Sequence, residues 1–138
     1  MKRNREQAER WLKQAIHDFK VAQKHSADLF SSDACFMAEQ TAQKALKAFL
    51  YFSGERFIHF HSVTKLVSIC TQKESSFLKW VDQAKLLDKY YIPTRYPDAL
   101  PEPAVPYEEF TQNEAKEAVE SARQILEQVK NKIIKSQD

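Results

Sequence analysis

All five prolines of this chain fall between Tyr90 and Tyr107, in the stretch YYIPTRYPDALPEPAVPY, and the chain has a single glycine, Gly54. Proline fixes φ and lacks an N–H, so this stretch is read as neither helix nor central strand. Glycine supplies the tight turns of hairpins, and a chain with one of them has little means of building a β-meander. The remaining sequence, on both sides of the prolines, carries helical spacing. A proline-rich connection of this length inside a helical domain is unusual and tends to be functional. Its four tyrosines, Arg95 and Asp98 suggest an ordered lid or wall over a helical bundle.

Composition sets the remaining bounds. The 138 residues suit one domain over 1–138, and 43% hydrophobic with 29% charged residues is globular rather than disordered. One glycine excludes the glycine-rich phosphate loops of Walker and Rossmann sites. A net charge of +2 makes a dedicated nucleic-acid binder an unexpected reading, and any cationic site must be a local cluster. Cys35 and Cys70 lie inside helical patterns without a CxxC partner and read as buried, reduced thiols. No apolar run approaches the roughly 18 residues of a membrane span, and the first residues carry no secretory signal, so a cytoplasmic protein is expected.

Taken in order, the spacing predicts helices over roughly 3–25, 34–52, 63–71, 75–90 and 112–135. On the first, Ala8, Trp11, Leu12, Ala15, Phe19 and Ala22 share a face; on the last, Ala115, Ala118, Ala122, Ile125, Val129 and Ile133 do. Thr111 and Glu114 have the spacing of a capping box, and Ser62 can cap the third helix. The Phe30–Asp33 stretch offers a turn and an N-cap, and Gly54 suits the residue after a helix end. Together these lengths predict an all-α, up-and-down antiparallel bundle of about five helices with a long ordered proline-rich loop before the last one.

The second helix is apolar almost all round, which marks it as central. Yet Gln40, Lys44, Lys47 and Tyr51 form a line at i, i+4, i+7 and i+11, over about 16 Å of helix. Lysine supplies a mobile charge and arginine a bidentate grip, so Gln40, Lys44, Lys47, Arg95 and Tyr96 are the candidate nucleotide-phosphate site. Arg56 and His61 form an R-x4-H spacing, an alternative pair for RNA cleavage by general acid–base chemistry. His59 and His61 alternate as HxH, but no further ligand follows at metal spacing, so no metal is expected. Arg95 can also pair with Asp98 and merely stiffen the loop.

The segment Cys35-Phe36-Met37-Ala38-Glu39-Gln40-Thr41-Ala42-Gln43-Lys44-Ala45-Leu46-Lys47-Ala48, the helix start His61-Ser62-Val63-Thr64-Lys65-Leu66 and the loop Tyr91-Ile92-Pro93-Thr94-Arg95-Tyr96-Pro97-Asp98 together resemble HEPN domains over nearly the whole chain. Within that family the likeness is to a branch found at the C-terminus of a giant chaperone-like animal protein. The resemblance implies a helical bundle that forms a homodimer and binds a purine nucleotide such as GTP or ATP. It also implies an accessory role beside other domains of a larger chaperone-like chain. Some branches are metal-independent ribonucleases with an R-x4–6-H motif late in the chain and a polar residue after the arginine. Here the spacing occurs early and Phe57 follows Arg56. The expectation is therefore a non-catalytic nucleotide-binding and dimerisation module, with the ribonuclease and a ligand-free dimerisation domain as alternatives.

Overall fold

The computed structural model describes residues 2–135, which are helical with no strand among them. Helix α1 spans Lys2–Ala27 and α2 spans Ser31–Phe52. They pair in antiparallel register: Arg5 lies over Phe52, Trp11 against Tyr51, and Asp18 against Lys44. The turn between them closes by bonds from Leu29 N to Ser26 O (3.2 Å) and from Phe30 N to His25 O (2.9 Å). That pattern normally has glycine in the left-handed position, but Leu29 holds it here at φ 68°. The expected side-chain cap at Ser31–Asp33 does not form. Instead Phe30 is the N-cap residue without a side-chain bond, and the two serines are the first helical residues. The far end of α2 closes in the same way with Gly54, at φ 104°, as its left-handed residue.

The chain then returns along the bundle as the extended segment 55–62 before α3 (Val63–Lys73) begins. Ser62 caps α3 by accepting from Lys65 N at 3.2 Å, as its sequence position predicts. The expected fourth helix divides into a 3₁₀ segment, Ser75–Trp80, and α4, Val81–Asp88. The tighter segment brings Phe77 fully into the core against Phe49, ring centres 4.6 Å apart. The proline stretch is not free of helix as expected: it holds a 3₁₀ turn at Pro97–Ala99 and the one-turn α5 at Pro106–Glu109. Both begin on a proline, which is compatible with a first turn because the N–H there has no intrahelical partner.

The last helix, α6 (Gln112–Lys135), opens on the predicted capping box: Glu114 N donates to Thr111 Oγ1 (3.0 Å) and Thr111 N to Glu114 Oε1 (3.1 Å). Its start lies at the α2 N-terminal end, where Glu114 acts on Cys35, and Lys132 lies by Phe49 and Phe52 at the other. So α6 runs in the same sense as α2 and antiparallel to α1, because the extended 55–62 segment takes the place of an ascending helix. Alanines at 38, 42, 45 and 48 are fully buried and let α1 and α6 approach α2 closely. No described helix is long and apolar enough to cross a membrane.

Candidate functional site

The chemistry concentrates where α2, the end of the extended segment and the proline-rich loop meet. Its floor is Glu39, fully buried in α2, which accepts from Gln40 Nε2 (2.8 Å) and Gln43 Nε2 (2.7 Å). Burial pushes the Glu39 carboxyl up to about 7, and Asp88 adds to the shift, while both amide bonds and the charge of Arg95 pull it back. The other atom of the Gln43 amide, Oε1, accepts from Lys47 Nζ (3.2 Å) and faces His61 Nδ1 (3.2 Å). An amide oxygen only accepts, so the His61 tautomer in this contact carries its proton on Nδ1 and leaves Nε2 as an acceptor.

His61 stacks on Tyr91, ring centres 6.0 Å apart and nearly parallel. Arg95 reaches the same tyrosine from the loop: its Nε and Nη2 donate to the Tyr91 carbonyl at 3.1 and 3.0 Å. The guanidinium lies over Phe36 at 4.2 Å, with Tyr96 and Tyr91 at 4.9 and 5.3 Å. Two of its five N–H groups are thus used, and the remaining three are uncommitted on an exposed side chain. Among the described residues Arg95 has no ion pair with Asp98; rings and a carbonyl hold it instead.

The loop is anchored from below. Thr94 is buried and donates to the Tyr90 carbonyl (2.6 Å); Tyr90 is buried against Phe110. The start of α3 is fixed by Asp88 of α4, which takes bonds from Val63 N (2.6 Å), Thr64 N (3.0 Å) and Ser62 Oγ (2.9 Å). His61 immediately precedes this clamp.

The predicted residues are distributed differently from the cluster the sequence suggested. Lys44 forms an ion pair with Asp18, whose side chain is almost wholly buried. Lys47 is buried beneath Trp11, 5.4 Å from its ring centre, and desolvation lowers its pKa. Gln40 is engaged with Glu39, and Tyr96 is exposed beside Arg95. Each cation therefore has its own partner, and Arg95 is the one that faces outward. Arg56 lines a separate cleft with Arg3 and Arg10 and has no contact with His61. Glu39, Gln43 and Asp88 were not anticipated. Glu39 and Gln43 precede Leu46 and Leu50 in one row of α2, so an inward-facing polar pair was readable there. No described group of three His, Cys, Asp or Glu residues is placed to hold a metal ion.

An aromatic-mounted arginine, an amide-held histidine and a buried carboxylate thus lie together on one helical bundle. Comparison with known proteins places it: residues 8–132 match the HEPN domain, and the chain belongs to the HEPN domain family. TT1696 from Thermus thermophilus is 40% identical, covering 91% of this chain and 97% of that one, with a TM-score of 0.82. ST0689, described as an archaeal HEPN homologue, is 36% identical over 91% of this chain and 97% of its own, with a TM-score of 0.75. Among curated proteins, "Putative toxin MJ1304" of Methanocaldococcus jannaschii is 26% identical, covering 90% of this chain and 86% of its own. These matches establish the family; they do not single out the chaperone-associated branch represented by the C-terminal domain of sacsin.

Proposed function

We propose that the surface where α2 meets the proline-rich loop binds the phosphate of a nucleotide, with Arg95 as its grip. The observation that carries this reading is the exposed guanidinium mounted on Phe36, Tyr91 and Tyr96, with three N–H groups not used by the Tyr91 carbonyl. An arginine held in place loses less freedom on binding a phosphate, and its fork matches phosphate oxygens. Tyr96 and Tyr91 supply ring faces for a base. Lys44 and Lys47 are second to Arg95, because Asp18 and burial already occupy them. A purine triphosphate is the probe of choice, and Arg95→Ala should weaken it by roughly 1.5–3 kcal/mol, the scale of a charged hydrogen bond. Calorimetry on wild type, Lys44→Ala and Arg95→Ala tests this. Equal affinity in all three, or equally tight binding of the bare nucleoside, rules the site out.

A second reading is favoured by His61. Its Nδ1 is held by Gln43 and its Nε2 is available as an acceptor, the arrangement of a base oriented by a third group. With Arg95 on the same tyrosine, His61 takes the proton of an RNA 2′-hydroxyl as its oxygen attacks phosphorus, and Arg95 stabilises the phosphorane charge. The P–O5′ bond breaks as the imidazolium returns the proton to the departing 5′-oxygen, leaving a 2′,3′-cyclic phosphate. The toxin designation of one relative accords with such chemistry. Single-stranded RNA incubated with the protein and a chelator separates the readings: cleavage lost in His61→Ala and Arg95→Ala supports the ribonuclease, and intact RNA leaves the binding module.

We also propose a homodimer. Phe60 and Tyr107 are exposed, and aromatics are enriched in interface cores. Light scattering at tens of micromolar, a concentration of the order at which weak dimers form, should give twice the chain mass. The accessory role beside a chaperone-like partner rests on resemblance alone.

A further inference from the structure

A second basic feature lies where the start of α1 meets the end of α2. Arg3, Asn4, Gln7 and Arg10 form one wall of a cleft of about 330 Å³, and the segment after α2 forms the other, carrying Arg56 and Phe57. The single acid on this lining, Glu55, is already paired with Lys73 at 3.0 Å. Among the described residues Arg3 and Arg56 have no ion pair, and Arg10 meets only the neutral Gln7 amide oxygen at 3.0 Å. Three guanidiniums thus share one cleft with a single carboxylate that is itself paired with Lys73, so a bound polyanion would relieve their mutual repulsion.

The aromatic beside them specifies which polyanion. Phe57 is 80% exposed, and its ring lies nearly parallel to that of His59, 12° apart in plane and 6.4 Å between centres. An exposed, parallel ring pair next to a basic cleft is the combination that binds unpaired strands: cations follow the backbone and rings stack on bases. A duplex hides its base faces, and an acidic peptide has none to stack.

We propose that this cleft is a binding site for single-stranded nucleic acid, with Arg3, Arg10 and Arg56 on successive phosphates and Phe57 beneath a base. From Arg56 the extended chain leads to His61, a reach of at most about 17 Å over five residues. A strand held in the cleft can therefore extend toward the cluster of His61 and Arg95. The site stands on its own lining residues and does not depend on what the Arg95–His61 cluster binds or cleaves.

The test is fluorescence anisotropy with a labelled oligouridylate of about ten nucleotides, within the span of known single-strand sites. Wild type should bind at low salt. The triple variant Arg3→Gln, Arg10→Gln, Arg56→Gln should bind at least tenfold more weakly, with the salt slope reduced by about 2, at about 0.7 for each phosphate no longer neutralised. Phe57→Ala should weaken binding about tenfold with an unchanged slope. Lys20→Gln, Lys85→Gln, Lys89→Gln removes the same charge from exposed positions elsewhere and should bind as wild type. Circular dichroism confirms that each variant folds. No binding by wild type, an equal loss in the lysine control, or a polyglutamate that competes as well as RNA with no effect of Phe57→Ala, overturns the inference. Arg95→Ala reports on the other site: loss of the mononucleotide with the oligonucleotide retained separates the two.

Discussion

Glu39 is the buried polar centre of α2. It is a carboxyl with no access to water, held by two amides, and burial lifts its pKa from 4.5 to about 7. The sign follows from linkage. The folded value lies above the unfolded one, so the stabilising contribution is complete below about 4.5 and is lost as pH rises through about 7. Glu39→Gln cannot ionise and should flatten the stability–pH curve across that window, with its greatest relative gain above pH 7. Urea titrations at intervals across the window measure this; an unchanged curve contradicts it. Ionised Glu39 is also attracted to Arg95, so one carboxyl couples the core of α2 to the exposed loop cation.

Among the elements, the ends of the helices show most directly what local sequence specifies. The Thr111–Glu114 box and the Ser62 cap form as their spacing predicts, because both partners lie within one turn. The Asp88 clamp on α3 is different in kind: its donors are 24–26 residues away, and no local pattern announces it. Removing the carboxylate orphans two backbone N–H groups and the Ser62 hydroxyl. Asp88→Ala should therefore cost roughly 1.5–3 kcal/mol, as for hydrogen bonds to a charged group, and Asp88→Asn less. Thermal or urea unfolding measures the loss. Because His61 precedes the clamp, any ligand that depends on His61 should also bind Asp88→Ala more weakly.

In the molecule as a unit, α2 is the axis. It lies along α1 and α6 and also touches α3 and α4, and Leu46 and Leu50 fill the centre. Leu46→Ala should cost about 2–5 kcal/mol, the range for a buried leucine whose cavity only partly collapses. Chemical denaturation should find that loss, whereas Leu78→Ala, at an exposed position, should cost well under 1 kcal/mol. Cys35 and Cys70 are free and buried in this core, their thiols pushed up to about 12 chiefly by desolvation, which agrees with the reduced, structural reading of both.

Elements with a local cause were legible in the order of residues alone. Helical periodicity placed α1, α2, α3 and α6, the capping motifs fixed two of their starts, and the prolines marked the long connection. The same pattern showed that α2 had to be central, since an apolar row flanked by small residues must be covered on several sides. The remaining features came from packing, because they depend on what lies across from each side chain. Lys44 and Lys47 share a helix line with Gln40, yet Asp18 and Trp11 on α1 occupy them and leave Arg95 as the outward cation. Arg56 and His61 are five residues apart, but the extended backbone between them carries one to the arginine cleft and the other to Gln43. Spacing along a helix fixes direction within a turn, but along an extended segment it fixes only a maximum reach.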